Sequence, residues 1–388
     1  AYGDEKILRD NYEMMEAWIE YQSRSDRQNC GIRTVDGKEA AEQSDMSSEP
    51  FIQVQQSRGD HLAYDRSTPF ILSATAYAAH VSDIMARICR VLDKPDKEKY
   101  YRERFENIKK AFNEAWVCSD GSIEYWGEMS ISDRDDNGNI INKTYYSEKS
   151  PNSHPSQTAY ALAIDFGLIP EKLMKNTALF FKRSIDERCG CLSVGFLGIS
   201  HLAPALEKAG LTDIAYKLLK NEKNPGWLYS VINGATTIWE RWNSYVAETG
   251  EFGNALMNSF NHYSYGAIGE WLFSSILGIN SSEKNGETGY RRIILKPVFS
   301  SELAWARGWH ESPCGKIKSN WSIEGNCITY ECSIPANTSA MMILPDVQIK
   351  CVMGKNYIKS AKTDADDKKR FELLSGNYKF IFGEQNNV

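Results

Sequence analysis

The sequence predicts two unlike parts, a toroid of paired α-helices over residues 1–280 and an antiparallel β-sandwich over residues 288–388, joined by a linker at 281–287. Three observations predict this. Helical segments alternate between ones that are apolar nearly all round and ones with a single apolar face, the mark of inner and outer helices in a closed ring of hairpins. After Gly278 the composition changes to short β-type runs separated by Pro, Gly and Asn. Between the two patterns lies the polar stretch Ser281-Ser-Glu-Lys-Asn-Gly286.

The chain opens at Ala1-Tyr-Gly-Asp4 and enters a helix with Leu8, Tyr12, Met15 and Ile19 on one stripe. Residues 30–67 are polar and carry Gly59-Asp-His61, a connection long enough to be functional rather than idle. Thr68-Pro-Phe70 then starts a helix, since Pro is tolerated in the first turn. Residues 70–93 read as an inner helix, whereas 96–116, with Tyr101, Phe105, Ile108 and Phe112 on one face, reads as outer. The alternation returns in the pairs 155–167 with 170–185, 198–209 with 211–221, and 235–242 with 256–277. Residues 118–154 read as loop with turn chemistry at both ends, placing Trp126 and Glu128 at the mouth of the toroid, beside its cleft. Asp133, Asp135, Asn137 and Asn139 alternate there in the manner of a calcium loop, but the Gly and closing Glu are out of register, so a solvated turn is expected. In the β part, Tyr290–Leu295, Ile317–Ser322, Cys327–Cys332, Ala340–Leu344 and Tyr378–Phe382 read as strands. Trp305, Trp309 and Trp321 are candidates to bind carbohydrate, but Trp in a sandwich more often packs in the core or at a domain interface, and that is the expectation here.

The totals bound the function. A chain of 388 residues that is 42% apolar supports more than one core. A net charge of -6 with scattered Lys and Arg argues against nucleic acid, and no apolar run reaches the ~20 residues of a membrane span. Nine cysteines without a CxxC pair or a His at zinc spacing predict neither a metal centre nor a cofactor site. Free thiols favour the cytoplasm, with the bacterial periplasm as the alternative if an upstream signal was removed.

One stretch concentrates chemistry: Asn233-Gly-Ala-Thr-Thr-Ile-Trp-Glu-Arg-Trp242, preceded by Pro225-Gly-Trp-Leu-Tyr229 and followed by Asn258-Ser-Phe-Asn-His-Tyr263. Glu240 stands between aromatic rings that desolvate it and the guanidinium of Arg241, opposed influences that suit a tuned acid or base. Aromatic platforms beside a carboxylate and a His fit a sugar, whose apolar ring faces stack on Trp while its hydroxyls need hydrogen bonds.

These motifs, with Gln157-Thr-Ala-Tyr-Ala-Leu-Ala163, Gly195-Phe-Leu-Gly198, Gly266-Ala-Ile-Gly-Glu-Trp-Leu272 and Ile334-Pro-Ala-Asn-Thr-Ser-Ala340, stand in an order that resembles the α-L-rhamnosidases of glycoside hydrolase family 78. The resemblance covers nearly the whole chain. It implies an (α/α)6 barrel followed by a β-sandwich, and hydrolysis of terminal α-L-rhamnosides with inversion at the anomeric carbon. It also implies roles. Glu240 matches the family's general base, which Arg241 would orient, with Trp239 and Trp242 excluding bulk water. Trp227 and His262 match sugar-contacting positions. Asp60 and His61 stand where the family usually has Gly-Asp-Trp, and His61 in place of that Trp alters the expected specificity.

About nine helices are legible where six hairpins need twelve, and the shortfall falls at the N-terminal end. The expectation is therefore a fragment or truncated form with its first helices upstream. The family's general acid is a Glu in an Asp-Glu-Arg segment well upstream of the first helix, and the general acid is expected to be absent from this chain. Of the nearby loop carboxylates only Glu124 and Glu128 are candidates to replace it, and neither matches a family position. This chain alone is accordingly expected to be weakly active or inactive. Two rival readings stand beside this one: a non-catalytic carbohydrate-binding remnant, and an (α/α)-barrel enzyme acting on another sugar, such as a uronate lyase. The lyase would need a Tyr/His pair and Arg groups for the substrate carboxylate.

Overall fold

The computed structural model describes residues 3–22, 59–64, 68–124, 126–134, 140–149, 155–254, 256–284, 286–345, 349–355, 358–363 and 368–383. The chain divides into two compact units, Ile7–Ala267 and Ala1–Lys6 with Ile268–Val388.

The first unit is helical. Helices α1 (Lys6–Gln22), α2 (Phe70–Val91), α3 (Pro95–Trp116), α4 (Gln157–Asp165), α5 (Glu171–Asp186), α6 (Ile199–Lys208) and α7 (Thr212–Leu219) are followed by the short α8 (Trp227–Ile232). Three hairpins are evident, α2 with α3, α4 with α5 and α6 with α7, and α4 packs on both α2 and α6. The first member of each pair is the more buried, as its composition requires. In α4 every residue from Gln157 to Ile164 is buried. In α5 the buried side is Thr177, Ala178, Phe181, Ser184 and Ile185, so Lys and Arg take the other sides. Pro95 sits in the first turn of α3, where its missing N–H costs nothing. The stripe predicted on α1 buries Tyr12 and Ile19 against Met85, Ala86, Cys89 and Tyr101.

Two segments differ from the periodic reading. Residues 235–242 and 256–263 are turns and bends, not helices, and regular structure resumes only with a 3-10 turn at Ser264–Ala267. Trp239 and Trp242 have helical spacing, but the backbone around them is held by long-range pairs, Glu240 N–H to Ser259 O and His262 N–H to Ile238 O. The stretch read as loop contains an antiparallel pair, β1 (Trp126–Arg134) with β2 (Ile140–Lys149). Residues 135–139 of the acidic cluster lie outside the described residues.

The second unit contains two five-stranded sheets, ordered β12-β13-β10-β6-β5 and β11-β14-β9-β8-β7. Their strands are β5 (Ile279–Ser281), β6 (Arg292–Leu295), β7 (Trp305–Ser312), β8 (Gly315–Glu324), β9 (Cys327–Ile334), β10 (Ser339–Pro345), β11 (Ile349–Met353), β12 (Ile358–Thr363), β13 (Lys368–Leu373) and β14 (Gly376–Phe382). All neighbours run antiparallel except β10 and β6, which are parallel. Period-two burial makes the core: Ala340, Met342 and Leu344 on β10 face inward, as do Tyr378, Phe380 and Phe382 on β14. Phe371 of one sheet meets Phe380 of the other at 5.5 Å. Ser281, the first residue of the segment read as a linker, ends strand β5. Ile279–Ser281 pairs antiparallel with β6, and the polar residues after it form the connecting loop, with Ser282 Oγ donating to Glu287 at 2.7 Å. The helical turn Ile268–Trp271 and the π-helical Leu272–Ile276 belong to this unit because Trp321 Nε1 donates to Ile276 O at 2.8 Å and Ser319 Oγ to Leu277 O at 2.5 Å. Among the described residues no helix is long and apolar enough to cross a membrane.

Candidate functional site

The N-terminus of α4 fixes one side of the site. Ser156 caps the helix by accepting from Ala159 N–H at 3.1 Å. The next two side chains each clamp a loop. Gln157 donates to Cys191 O and accepts from Ser193 N–H, both at 2.9 Å. Thr158 Oγ1 donates to Asp60. Asp60 also accepts from the N–H groups of Gly195 (2.8 Å), Leu197 (2.9 Å) and Gly198 (3.0 Å), so one buried carboxylate shapes the whole 195–198 turn. Burial pushes its carboxyl above the ordinary Asp range, while these four hydrogen bonds pull the other way. Only glycine fits at 195: a Cβ there would lie 2.3 Å from His61 O and 2.6 Å from Ala63 N.

The other side is the irregular stretch 233–263. Glu240 N–H donates to Ser259 O at 2.9 Å, and Ser259 N–H donates back to Glu240 Oε2 at 2.7 Å. His262 N–H donates to Ile238 O at 2.8 Å, and Thr237 Oγ1 donates to Phe260 O. The Glu240 carboxylate is thereby oriented by one backbone donor. Its Oε1 has no hydrogen-bond partner among the described residues.

Rings join the two sides. Phe196 meets His61 edge-on at 5.5 Å, stacks on His262 at 5.0 Å and meets Tyr265 at 5.3 Å. Tyr265 stacks on Trp242 at 3.9 Å, and Trp242 meets Trp227 at 5.7 Å. The polar handles of these rings are used as well. Trp242 Nε1 donates to Val194 O at 2.8 Å, Trp227 Nε1 to Tyr265 O at 2.9 Å, and Tyr265 Oη to Leu62 O at 2.8 Å. Burial pushes the Tyr265 phenol far up; the negative charges of Asp60 and Glu240 raise it further, and Arg241 opposes them. All three charged groups therefore act on one hydroxyl.

The structure thus brings Glu240, Arg241, Trp227, Trp242, His262, Asp60 and His61 around Phe196 and Tyr265. Trp239 packs on Phe260 at 5.2 Å. Trp239 and Trp242 are only 6% and 4% exposed, so they form walls, whereas Trp227 and His262 are half-buried and His61 is exposed. His262 Nδ1 accepts from Ser264 N–H at 3.3 Å, which puts the proton of the neutral ring on Nε2. Among the described residues Arg241 forms no ion pair with Glu240, and its Nε is buried without a partner. Trp126 opens β1, and its side chain lies outside the described ones, as does that of Glu128. Glu124 lies just beyond the end of α3, its N–H donating to Trp116 O at 2.9 Å.

Three contributors are absent from the residue-level reading of the sequence. Ser259 lies in the Asn258–Tyr263 motif, but its N–H is what matters and no side-chain pattern reveals it. Phe196 stands in the Gly195–Gly198 landmark, and Tyr265 follows Tyr263 by two, one buried to 2% exposure and the other 85% exposed. The chain also contains an Asp-Glu-Arg string, Asp186-Glu187-Arg188, at the end of α5, where Glu187 accepts from Arg183 at 3.0 Å, an interaction of the helix surface.

Residues 1–276 match the family described as the bacterial alpha-L-rhamnosidase 6 hairpin glycosidase domain, and residues 278–359 match the bacterial alpha-L-rhamnosidase C-terminal domain. An alpha-L-rhamnosidase of Streptomyces avermitilis is 32% identical over 345 residues, covering 89% of this chain and 28% of the relative. One from Formosa agariphila is 31% identical over 389 residues, covering 97% and 36%. The chain thus spans about a third of the length of these relatives. The crystal structure of the Streptomyces avermitilis alpha-L-rhamnosidase complexed with L-rhamnose matches 98% of this chain and 31% of that one, with a TM-score of 0.76 and 30% identity. That of the alpha-L-rhamnosidase from Dictyoglumus thermophilum matches 99% and 38%, with a TM-score of 0.74; at 22% identity it speaks for the fold alone.

Proposed function

The chain belongs to the bacterial α-L-rhamnosidases, glycoside hydrolases whose six-hairpin and C-terminal domains its sequence matches in order, and from that premise we propose that it hydrolyses terminal α-L-rhamnosides with Glu240 as general base. The observation that carries the proposal is the state of Glu240. Its carboxylate is held by Ser259 N–H through one oxygen, is half-buried, and has no partner for Oε1 among the described residues, which leaves that oxygen for a water. In an inverting hydrolysis that water attacks the anomeric carbon while its proton passes to Glu240 and a second carboxyl group, ~6.5–9.5 Å away, protonates the departing oxygen. The substrate's hydroxyls would meet Arg241, whose guanidinium has unmet donors, and the Nε2–H of His262, while Trp227 offers a ring face.

The acid of this pair is assigned to no residue of the described site. An activated aryl leaving group needs little protonation, so p-nitrophenyl α-L-rhamnoside is the substrate of choice. Released sugar followed by proton NMR should be β-L-rhamnose first, equalising with the α-anomer later. Initial release of the α-anomer would overturn inversion. Calorimetric binding of L-rhamnose without turnover would favour a carbohydrate-binding role for this chain, and neither binding nor turnover would sink the rhamnoside assignment.

A further inference from the structure

Among the described residues strand β7 forms an edge of its sheet, paired only with β8. Its alternation is unambiguous, because Ala306, Gly308 and His310 turn inward and a Cβ on Gly308 would strike Leu277 Cδ1 at 2.3 Å. Trp305, Arg307 and Trp309 therefore turn out. Both indoles are 58% exposed, whereas Trp321 is buried and donates its N–H to Ile276 O. Core packing accounts for Trp321 and for neither of the others.

The register places Ser322 opposite Trp305, Asn320 opposite Arg307 and Lys318 opposite Trp309 on the same outer face. The two indoles are thus four residues apart on one strand, about 13 Å at ~3.3 Å per residue, farther than one pyranose ring can span. Between them stand hydrogen-bond donors. Arg307 lies 5.3 Å from the Trp305 ring, and Asn320 uses its Oδ1 to accept from Gly308 N–H at 3.2 Å, leaving its amide N–H groups to donate. Lys316 is paired with Glu311 at 2.6 Å, but Arg307 and Lys318 have no carboxylate partner among the described residues.

Arg307 between the rings and Lys318 opposite Trp309 thus carry positive charge with no carboxylate partner among the described residues, beside two separated indoles. This arrangement fits a glycan, whose sugar faces stack on the indoles while its acidic groups meet the cations. We propose that the outer face of β7 and β8 is a second carbohydrate-binding surface, for an acidic oligosaccharide of at least three units whose uronate carboxylates engage Arg307 and Lys318. This surface is independent of the Glu240 site and does not rest on its assignment.

The test uses the whole chain and hexagalacturonate in calorimetry, with cellohexaose and a short oligodeoxythymidine as competitors. Trp305→Ala with Trp309→Ala should weaken hexagalacturonate binding roughly tenfold or more, and Arg307→Gln with Lys318→Gln should do the same and remove most of the salt dependence. Both double variants should keep the thermal midpoint and the L-rhamnose titration of the parent. Absence of hexagalacturonate binding, or binding undiminished in the tryptophan variant, would overturn the proposal. Equal binding of cellohexaose would overturn the acidic class, and displacement by the oligodeoxythymidine at equal strength would reassign the surface to single-stranded nucleic acid.

Discussion

Asp60 accepts four hydrogen bonds, from Thr158 Oγ1 and from the N–H groups of Gly195, Leu197 and Gly198, whereas Glu240 accepts one, from Ser259 N–H. Both charges act on Tyr265, so the two carboxylates share a neighbourhood and differ in what remains available. Asp60 is 8% exposed and saturated, and its work is to shape the turn that carries Phe196. Glu240 is half-buried, oriented but not saturated, with one oxygen free to take a proton. Nearness to the same rings does not by itself separate the proposed base from a scaffold group; what distinguishes the two carboxylates is unused hydrogen-bonding capacity.

The comparison can be broken at either carboxylate. Glu240→Gln, which still accepts from Ser259 N–H, should lower turnover of p-nitrophenyl α-L-rhamnoside by roughly 10² to 10⁴, measured by release of nitrophenolate, and leave L-rhamnose binding in place. Asp60→Ala strands three backbone N–H groups and a hydroxyl, and should cost at least about 3 kcal/mol in urea unfolding. Trp242→Phe keeps the stack on Tyr265 but leaves Val194 O unpaired, so a loss of about 1–3 kcal/mol is expected by the same measurement.

The smallest effect concerns pH. His80 stacks face to face on Phe166 at 4.1 Å, and burial, aided by His201 and Lys208 against the opposing charges of Asp165 and Asp83, holds its imidazole below the ordinary 6.5. The unfolded chain then takes up a proton that the folded one refuses. Stability from this group is complete above pH 6.5 and declines as pH falls through the lowered folded value. Thermal midpoints measured across that window should fall for the parent and fall less for His80→Gln.

Much of this was legible in the sequence because burial writes a period. The apolar run of Gln157–Ile164 and the one-sided stripe of α5 gave away inner and outer helices, and alternation along β10 and β14 gave away strands. Where long-range pairing decides the backbone, local pattern misled. Residues 235–242 carry helical spacing yet are held open by Ser259 and His262, and the polar segment 281–287 has the composition of a linker while closing a hairpin. The candidate site shows the same limit. Glu240 could be singled out by its neighbours in sequence, but the partners of Asp60 lie about a hundred residues and more away, and nothing local announces them. Likewise Trp305 and Trp321 are the same residue type on paired strands, and only register separates an exposed ring from a buried one.

The most direct measurement sets Glu240→Gln beside Asp60→Asn, recording for each the p-nitrophenyl α-L-rhamnoside turnover and the urea midpoint. Glu240→Gln should abolish most turnover with the midpoint unchanged. Asp60→Asn should lower the midpoint, because its amide cannot accept from all four donors, while the protein that remains folded keeps turning over. Turnover that survives Glu240→Gln, or that vanishes in folded Asp60→Asn, would contradict the division between a reacting and a scaffold carboxylate.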